Sequence, residues 1–319
     1  MTHDPFHAGE LEVQQRAGQR EAAASNGAMV EDHLTPGACR FAAQQRLAAV
    51  AARDARGWPR ATLWPGAPGF VRCADERTLA VALPPLDAQD PVRAGLTAGA
   101  PLGLLLVDLR TRRRLRVNGS VARVVGDELT LAVREAFGNC PKYIQRREPD
   151  LRAPAPASSA ATVAGTELDA ERTARIARAD TVFVASGHPQ RGLDASHRGG
   201  EPGFVRVLDA RTLRFPDYPG NGMFQTLGNL AVDPRAGVAI VDFDHGRVLS
   251  LAGTVRTRFD EVEDPAQATG GTGRYWELLV RDWLEHPLPP AAGWRLVEPS
   301  PFNPRSGRTR SGGPREGRV

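Results

Sequence analysis

Short apolar blocks and alternating stretches, both of strand length, set the pattern along the chain. LGLLLVDL (102–109) and GVAIVDF (237–243) are continuous apolar runs bounded by glycine and a charge, as strands covered on both faces are. RRLRVNGSVARV (113–124) and RVLSLAGTVRTR (247–258) alternate, the pattern of half-exposed strands. LAAVAAR (47–53) and TVFVAS (181–186) are short β-prone runs, each followed by a PGFVR turn and strand that closes in D-x-R-T. Helical stretches precede each set at 37–45 and 167–178, and YWELLVRDWL (275–284) reads as a strand or a short helix.

These pairs are copies of one unit. PGFVRCADERTLAV (68–81) returns as PGFVRVLDARTLRF (202–215), an offset of 134 residues. The offset holds without a gap from Leu47/Thr181 to Val121/Val255, with 22 identities in 75 pairs that include Gly66/Gly200, Gly103/Gly237 and Gly119/Gly253. Each copy is expected to form a small antiparallel barrel of five or six strands in about 90 residues. The expected organisation is an N-terminal helical arm (1–36), barrel copy one (37–151) and a Pro/Ala/Ser-rich linker (152–165). Barrel copy two (166–265), a C-terminal appendage (266–304) and a disordered basic tail (305–319) follow. The fold class is mainly β with flanking helices, a tandem of duplicated barrels.

Length agrees, since 319 residues suit two domains of about 150. Hydrophobic residues at 41% and charged residues at 24% are ordinary globular usage. No apolar run approaches the ~20 residues of a membrane span, and MTHDPFHAGELEVQQ lacks the basic and apolar regions of a secretion signal. A soluble, cytoplasmic protein without membrane contact is expected. The net charge of +4 resides in the tail from Arg305, which carries five Arg against one Glu and leaves a neutral body. That balance argues against a nucleic-acid partner. Cys39, Cys73 and Cys140 form no CxxC pair, so neither a zinc ribbon nor a disulfide framework is expected, and a reducing compartment fits. Rossmann, P-loop, HExxH and GxSxG signatures are absent, and the seven histidines show no metal-ligand spacing, so no metal is expected.

Differences between the copies locate the candidate site. Ser196, His197 and Arg198 replace Thr62, Leu63 and Trp64, while Asn221, Thr226 and Asn229 replace Asp87, Val92 and Gly95. Copy two thus concentrates hydroxyl, amide, imidazole and guanidinium groups beside Gly-rich turns, the set a phosphate ester requires.

GLDASHRGGEPGFVRVLDARTLRFPDYPGNGMFQTLGNLAVDPRAG (192–237), with FGNCPKYIQRR (137–147) and FHAGE (6–10), resembles the FMN-binding split barrels of the pyridoxamine 5′-phosphate oxidase-like superfamily. It looks closest to that superfamily's flavin-nucleotide-binding branch. The resemblance implies duplicated split β-barrels with FMN as cofactor. It implies backbone amides of Val205, Arg206 and Val207 along the isoalloxazine. It places the phosphate with Asn221, Thr226 and Asn229, near Ser196, His197 and Arg198. Lys142, the sole lysine, would reach the flavin from the end of copy one. A homodimer or an intrachain pair of barrels would complete the site, and a small-molecule substrate or electron donor would be the partner. Catalytic residues stay unassigned, and Cys140 is read as structural. The chain departs from the family in three ways. Gly222 stands where relatives carry a base, residues 266–304 lack the Arg- and His-rich signature of vitamin B6 oxidases, and no reductase module is expected after SPFNP (300–304). Against an FMN-dependent oxidoreductase stand a non-catalytic flavin or electron-transfer protein, a haem barrel ligated by His197 or His245, and a deazaflavin binder.

Overall fold

The structure is a computed structural model that describes residues 5–85, 90–150, 161–288 and 293–304. Copy one contributes β1 (Leu47–Arg53), β2 (Pro59–Pro65), β3 (Val71–Asp75), β4 (Thr78–Ala82), β5 (Pro101–Asp108), β6 (Arg113–Val125) and β7 (Glu128–Gly138). After β8 (Arg146–Asp150) and β9 (Val163–Gly165), copy two contributes β10 (Thr181–His188), β11 (Gly192–Gly199), β12 (Arg206–Asp209) and β13 (Thr212–Pro216). It continues with β14 (Arg235–Asp242), β15 (Arg247–Arg258) and β16 (Tyr275–Pro287), and β17 (Gly293–Glu298) ends the described chain. The sheets run β2-β1-β5-β6-β7-β4-β3 and β11-β10-β14-β15-β16-β13-β12, one antiparallel order used twice. One bulge recurs at offset-related positions, Asn118/Gly119 and Ala252/Gly253.

Period-two alternation explains why the central strands are apolar on both faces. In β1 and β5, Ala48, Val50, Leu104 and Leu106 enter copy one's own core. Their neighbours Ala49, Ala51, Leu105 and Val107 meet Phe183, Ala185, Ala239 and Val241 of copy two in a shared cluster. The two barrels therefore pack face to face. At that contact, a Cβ on Gly103 would stand 3.0 Å from Asp194 Cα, and one on Gly237 would stand 2.6 Å from Arg60 Cα, the offset-related pair. Only glycine permits so close an approach of backbones.

Among the described residues, five α-helices flank the barrels: α1 (Ala8–Arg16), α2 (Arg20–Gly27), α3 (Pro36–Ala43), α4 (Ala170–Arg178) and α5 (Gln225–Val232). Several expectations are corrected, and one left open is decided. Each copy has seven strands in its sheet order, and YWELLVRDWL is a strand. The boundary at 265 cuts off β16, which pairs with β15 and β13 inside the second sheet. The intervening 259–274 segment breaks the constant offset and hides its kinship with β7. The linker's last residues form β9 on β16, while its 151–160 stretch and the tail from 305 lie outside the described residues. The C-terminal segment also returns to copy one, where β17 pairs with β8. Finally, Cys39 and Cys73 form a disulfide, with Cα atoms 5.6 Å apart, tying α3 to β3. Separation along the chain carried no information about that distance. No helix is long and apolar enough to cross a membrane among the described residues.

Candidate functional site

Where the barrels meet, a cleft of about 100 Å³ is lined from both copies. Copy one supplies Arg114 and Arg116 from β6, then Cys140, Lys142 and Tyr143 from the segment after β7. Copy two supplies His197 and Arg198 from β11, the 217–224 loop, and Gln225, Thr226 and Leu227 from the first turn of α5.

The cleft gathers more positive charge than its carboxylates match. Arg114 donates to the carbonyl of Cys140, and burial beside Arg116 and Arg198 pushes its guanidinium down to about 9. Arg198 is likewise lowered by burial, an effect that Asp217 opposes. Arg116 pairs with Asp194 at 3.1 Å and donates to Gln225 Oε1 at 3.2 Å. The Nε atoms of all three arginines are buried without a partner among the described residues. Both ring nitrogens of His197 are also unpartnered, and burial, with Arg114, Arg198 and Arg147 nearby, holds its pKa well below 6.5. Phe183 meets the ring edge-on at 5.5 Å.

Helix α5 adds a dipole to this field. Its N-cap, Phe224, is left-handed (φ 57°) and makes no side-chain capping bond, so the first-turn N–H groups open on the cleft. Two further ionisable groups are engaged. Tyr143 Oη donates to the carbonyl of Pro219 at 2.8 Å, and burial pushes its pKa up to about 12. Asp217 pairs with Arg274 at 2.9 Å. Donors and cations around buried, unsatisfied nitrogens fit a phosphate. The enclosed space falls short of the roughly 300–1,000 Å³ of a complete ligand pocket. It therefore suits the anionic end of a ligand whose remainder lies at the open side.

His197, Arg198, Asn221, Thr226 and Lys142 line this cleft together. Ser196 lies behind it, accepting from Thr226 Oγ1 at 2.9 Å. Asn229 sits one turn along α5, donating to Ser186 Oγ at 3.1 Å and accepting from His7 Nε2 at 3.0 Å. Val205, Arg206 and Val207 are elsewhere. Val205 is buried in copy two's core, Val207 packs against that core, and Arg206 pairs with Asp264, because β12 is the outer strand beyond β13. His245 is exposed in the β14–β15 turn and bound to Asp242 at 2.9 Å. Among the described residues no cluster of His, Cys, Asp and Glu could hold a metal ion.

Sequence reasoning passed over Arg114 and Arg116. Their copy-two counterparts are Val248 and Ser250, so the copy comparison contained the signal, run in the other direction. At the equivalent place in copy one, Leu63 and Trp64 offer neither an imidazole nor a guanidinium.

No family model matches the chain, and no curated protein matches it. Among solved structures, HupZ of Group A Streptococcus matches at 16% identity over 35% of this chain and 89% of its own, with a TM-score of 0.30. A candidate pyridoxamine 5′-phosphate oxidase of Lactobacillus delbrueckii matches at 14% over 37% of this chain and 94% of its own, TM-score 0.30. A candidate 5-nitroimidazole antibiotic resistance protein of Bacteroides thetaiotaomicron matches at 12% over 40% of this chain and 89% of its own, TM-score 0.24.

Proposed function

We propose that the cleft binds FMN by its phosphate and that the chain is an FMN-dependent oxidoreductase of the pyridoxamine 5′-phosphate oxidase-like superfamily. The observation that carries this reading is the convergence of Arg114, Arg198 and unpartnered His197 on the uncapped start of α5. Arg114, Arg198, Lys142 and the first-turn amides of α5 would hold the phosphate. The flavin would supply hydride or electron transfer. Barrel–barrel packing excludes water from the arginine side of the cleft and strengthens each charge there. A small-molecule substrate or electron donor completes the reading. The two barrels of one chain take the part of a dimer.

The test is the visible spectrum of the purified protein followed by titration with FMN. A flavin spectrum, lost in the Arg198→Ala/Asn221→Ala double variant, is the expected result. A protein that ignores FMN and takes up haem or deazaflavin would overturn it. One observation favours a second reading, a flavin carrier without turnover of its own. Tyr143 and Asp217, the groups best placed for acid–base work, are already committed to Pro219 and Arg274. That reading expects bound flavin that turns over only with an added reductase.

A further inference from the structure

The N-terminal arm reaches the loop that leads into α5. Asn26 Nδ2 donates to the carbonyl of Asn221 at 2.6 Å, and Gln14 Nε2 donates to the carbonyl of Met223 at 2.9 Å. Gln14 is fully buried, and its other end is fixed because Oε1 accepts from Arg20 at 2.6 Å. Met223 is itself fully buried with Phe6, Ala23 and Phe137, which seats the loop on the arm. The FHAGE segment secures the far end. His7 and Glu10 form a reciprocal capping box on α1, and His7 reaches Asn229 of α5.

These contacts fix more than position. In a planar trans peptide the C=O and N–H point in opposite directions. With the carbonyls of Asn221 and Met223 turned to the arm, the N–H groups of Gly222 and Phe224 face the other side, and both residues line the cleft. The intervening N–H of Met223 turns back to Asn221 Oδ1 at 3.2 Å. Gly222 (φ 73°) and Phe224 (φ 57°) are both left-handed, the backbone geometry of concave anion-binding nests. Glycine at 222 gives up a side-chain cation and gains an accessible amide. A second observation points to a ligand here. Buried His197 offers unpartnered nitrogens to the same cleft.

We infer that the N–H groups of Gly222, Phe224 and the first turn of α5 form a backbone nest for the ligand's phosphate, and that the arm sets its register through the positioning residues Asn26 and Gln14. The inference rests on the phosphate-binding reading above and adds the element that aims the amides.

The test compares FMN with riboflavin, the same ring without the phosphate, by fluorescence titration of the wild type, Asn26→Ala and Gln14→Glu. The second variant keeps the shape and the Arg20 contact while removing the donor to Met223. Each variant is expected to weaken FMN by about tenfold or more with riboflavin affinity unchanged; both melt lower, because a carbonyl under the arm loses its donor, so the ratio of the two flavin affinities is the readout. A merely structural role would lower both flavins together. Variants that keep the wild-type preference for FMN over riboflavin would overturn the inference and leave the phosphate site standing. A wild type that shows no preference for FMN would overturn both.

Discussion

Replacing Arg114 by methionine is expected to strengthen the ligand-free fold while removing phosphate binding. Burial and the neighbouring Arg116 and Arg198 depress the guanidinium from 12.5 to about 9. At about 1.36 kcal/mol per tenfold change in proton affinity, that is a cost of roughly 5 kcal/mol for keeping the group charged at neutral pH. The figure is an upper bound, because the side chain is only half-buried by surface area and reaches the mouth of the cleft. Methionine also gives up the bond to the carbonyl of Cys140. A net gain of about 1–3 kcal/mol remains, within the range seen when buried charges give way to apolar side chains. The sign follows from linkage. Below about 9 the folded and unfolded chains both hold the proton, so the cost is complete at pH 7. Between about 9 and 12.5 the unfolded chain binds more protons, so wild-type stability rises there and the gap to the variant closes. Melting curves between about pH 6 and 10, with and without FMN, read the effect. FMN should raise the melting temperature of the wild type by supplying the missing countercharge, and should leave the variant unmoved. A variant that melts well below the wild type without ligand, or that keeps FMN affinity, would refute the reasoning.

Thiol titration of the native protein without reductant should find only Cys140 reactive, and Cys39→Ser should cost about 2–4 kcal/mol of stability; three reactive thiols would contradict the bonded pair. Burial raises the carboxyl of Glu10 to about 8, so its contribution is present below its unfolded value near 4.5 and is lost as pH rises through 8. Glu10→Gln is therefore expected to melt above the wild type at pH 9 and level with it near pH 5, where an unchanged difference across that range would count against the buried carboxyl.

The duplicated fold was legible because a constant offset needs no knowledge of space. Leu47/Thr181 to Val121/Val255 placed β1 to β6 against β10 to β15 along the chain, and the apolar runs of β5 and β14 announced faces buried on two sides. The offset failed at β16, where an insertion between copies shifted the frame while the sheet kept its order. His197, Arg198 and Asn221 stood out because they break the repeat inside copy two. Arg114 and Arg116 break it as well, yet RRLRV alternates like a solvent-facing strand, and alternation cannot tell water from a second barrel. Val205, Arg206 and Val207 were set along a flavin ring only by the family resemblance, and the structure puts them at the edge of copy two's core, away from the cleft. The clamp of Asn26 and Gln14 on backbone carbonyls had no sequence signal, since any loop offers carbonyls.

The shared apolar face between the barrels has a consequence for how the cleft responds to protein abundance. A site built from Arg114 of one half and Arg198 of the other would disappear on dilution if the halves were separate molecules. Joined in one chain, each half sees the other at an effective concentration on the order of millimolar, whatever the amount of protein present. Ligand occupancy then depends on the ligand alone. The joining also frees the halves to diverge, so one can carry Trp64 where the other carries Arg198. Identical partners related by symmetry have no such freedom, because every substitution is made twice.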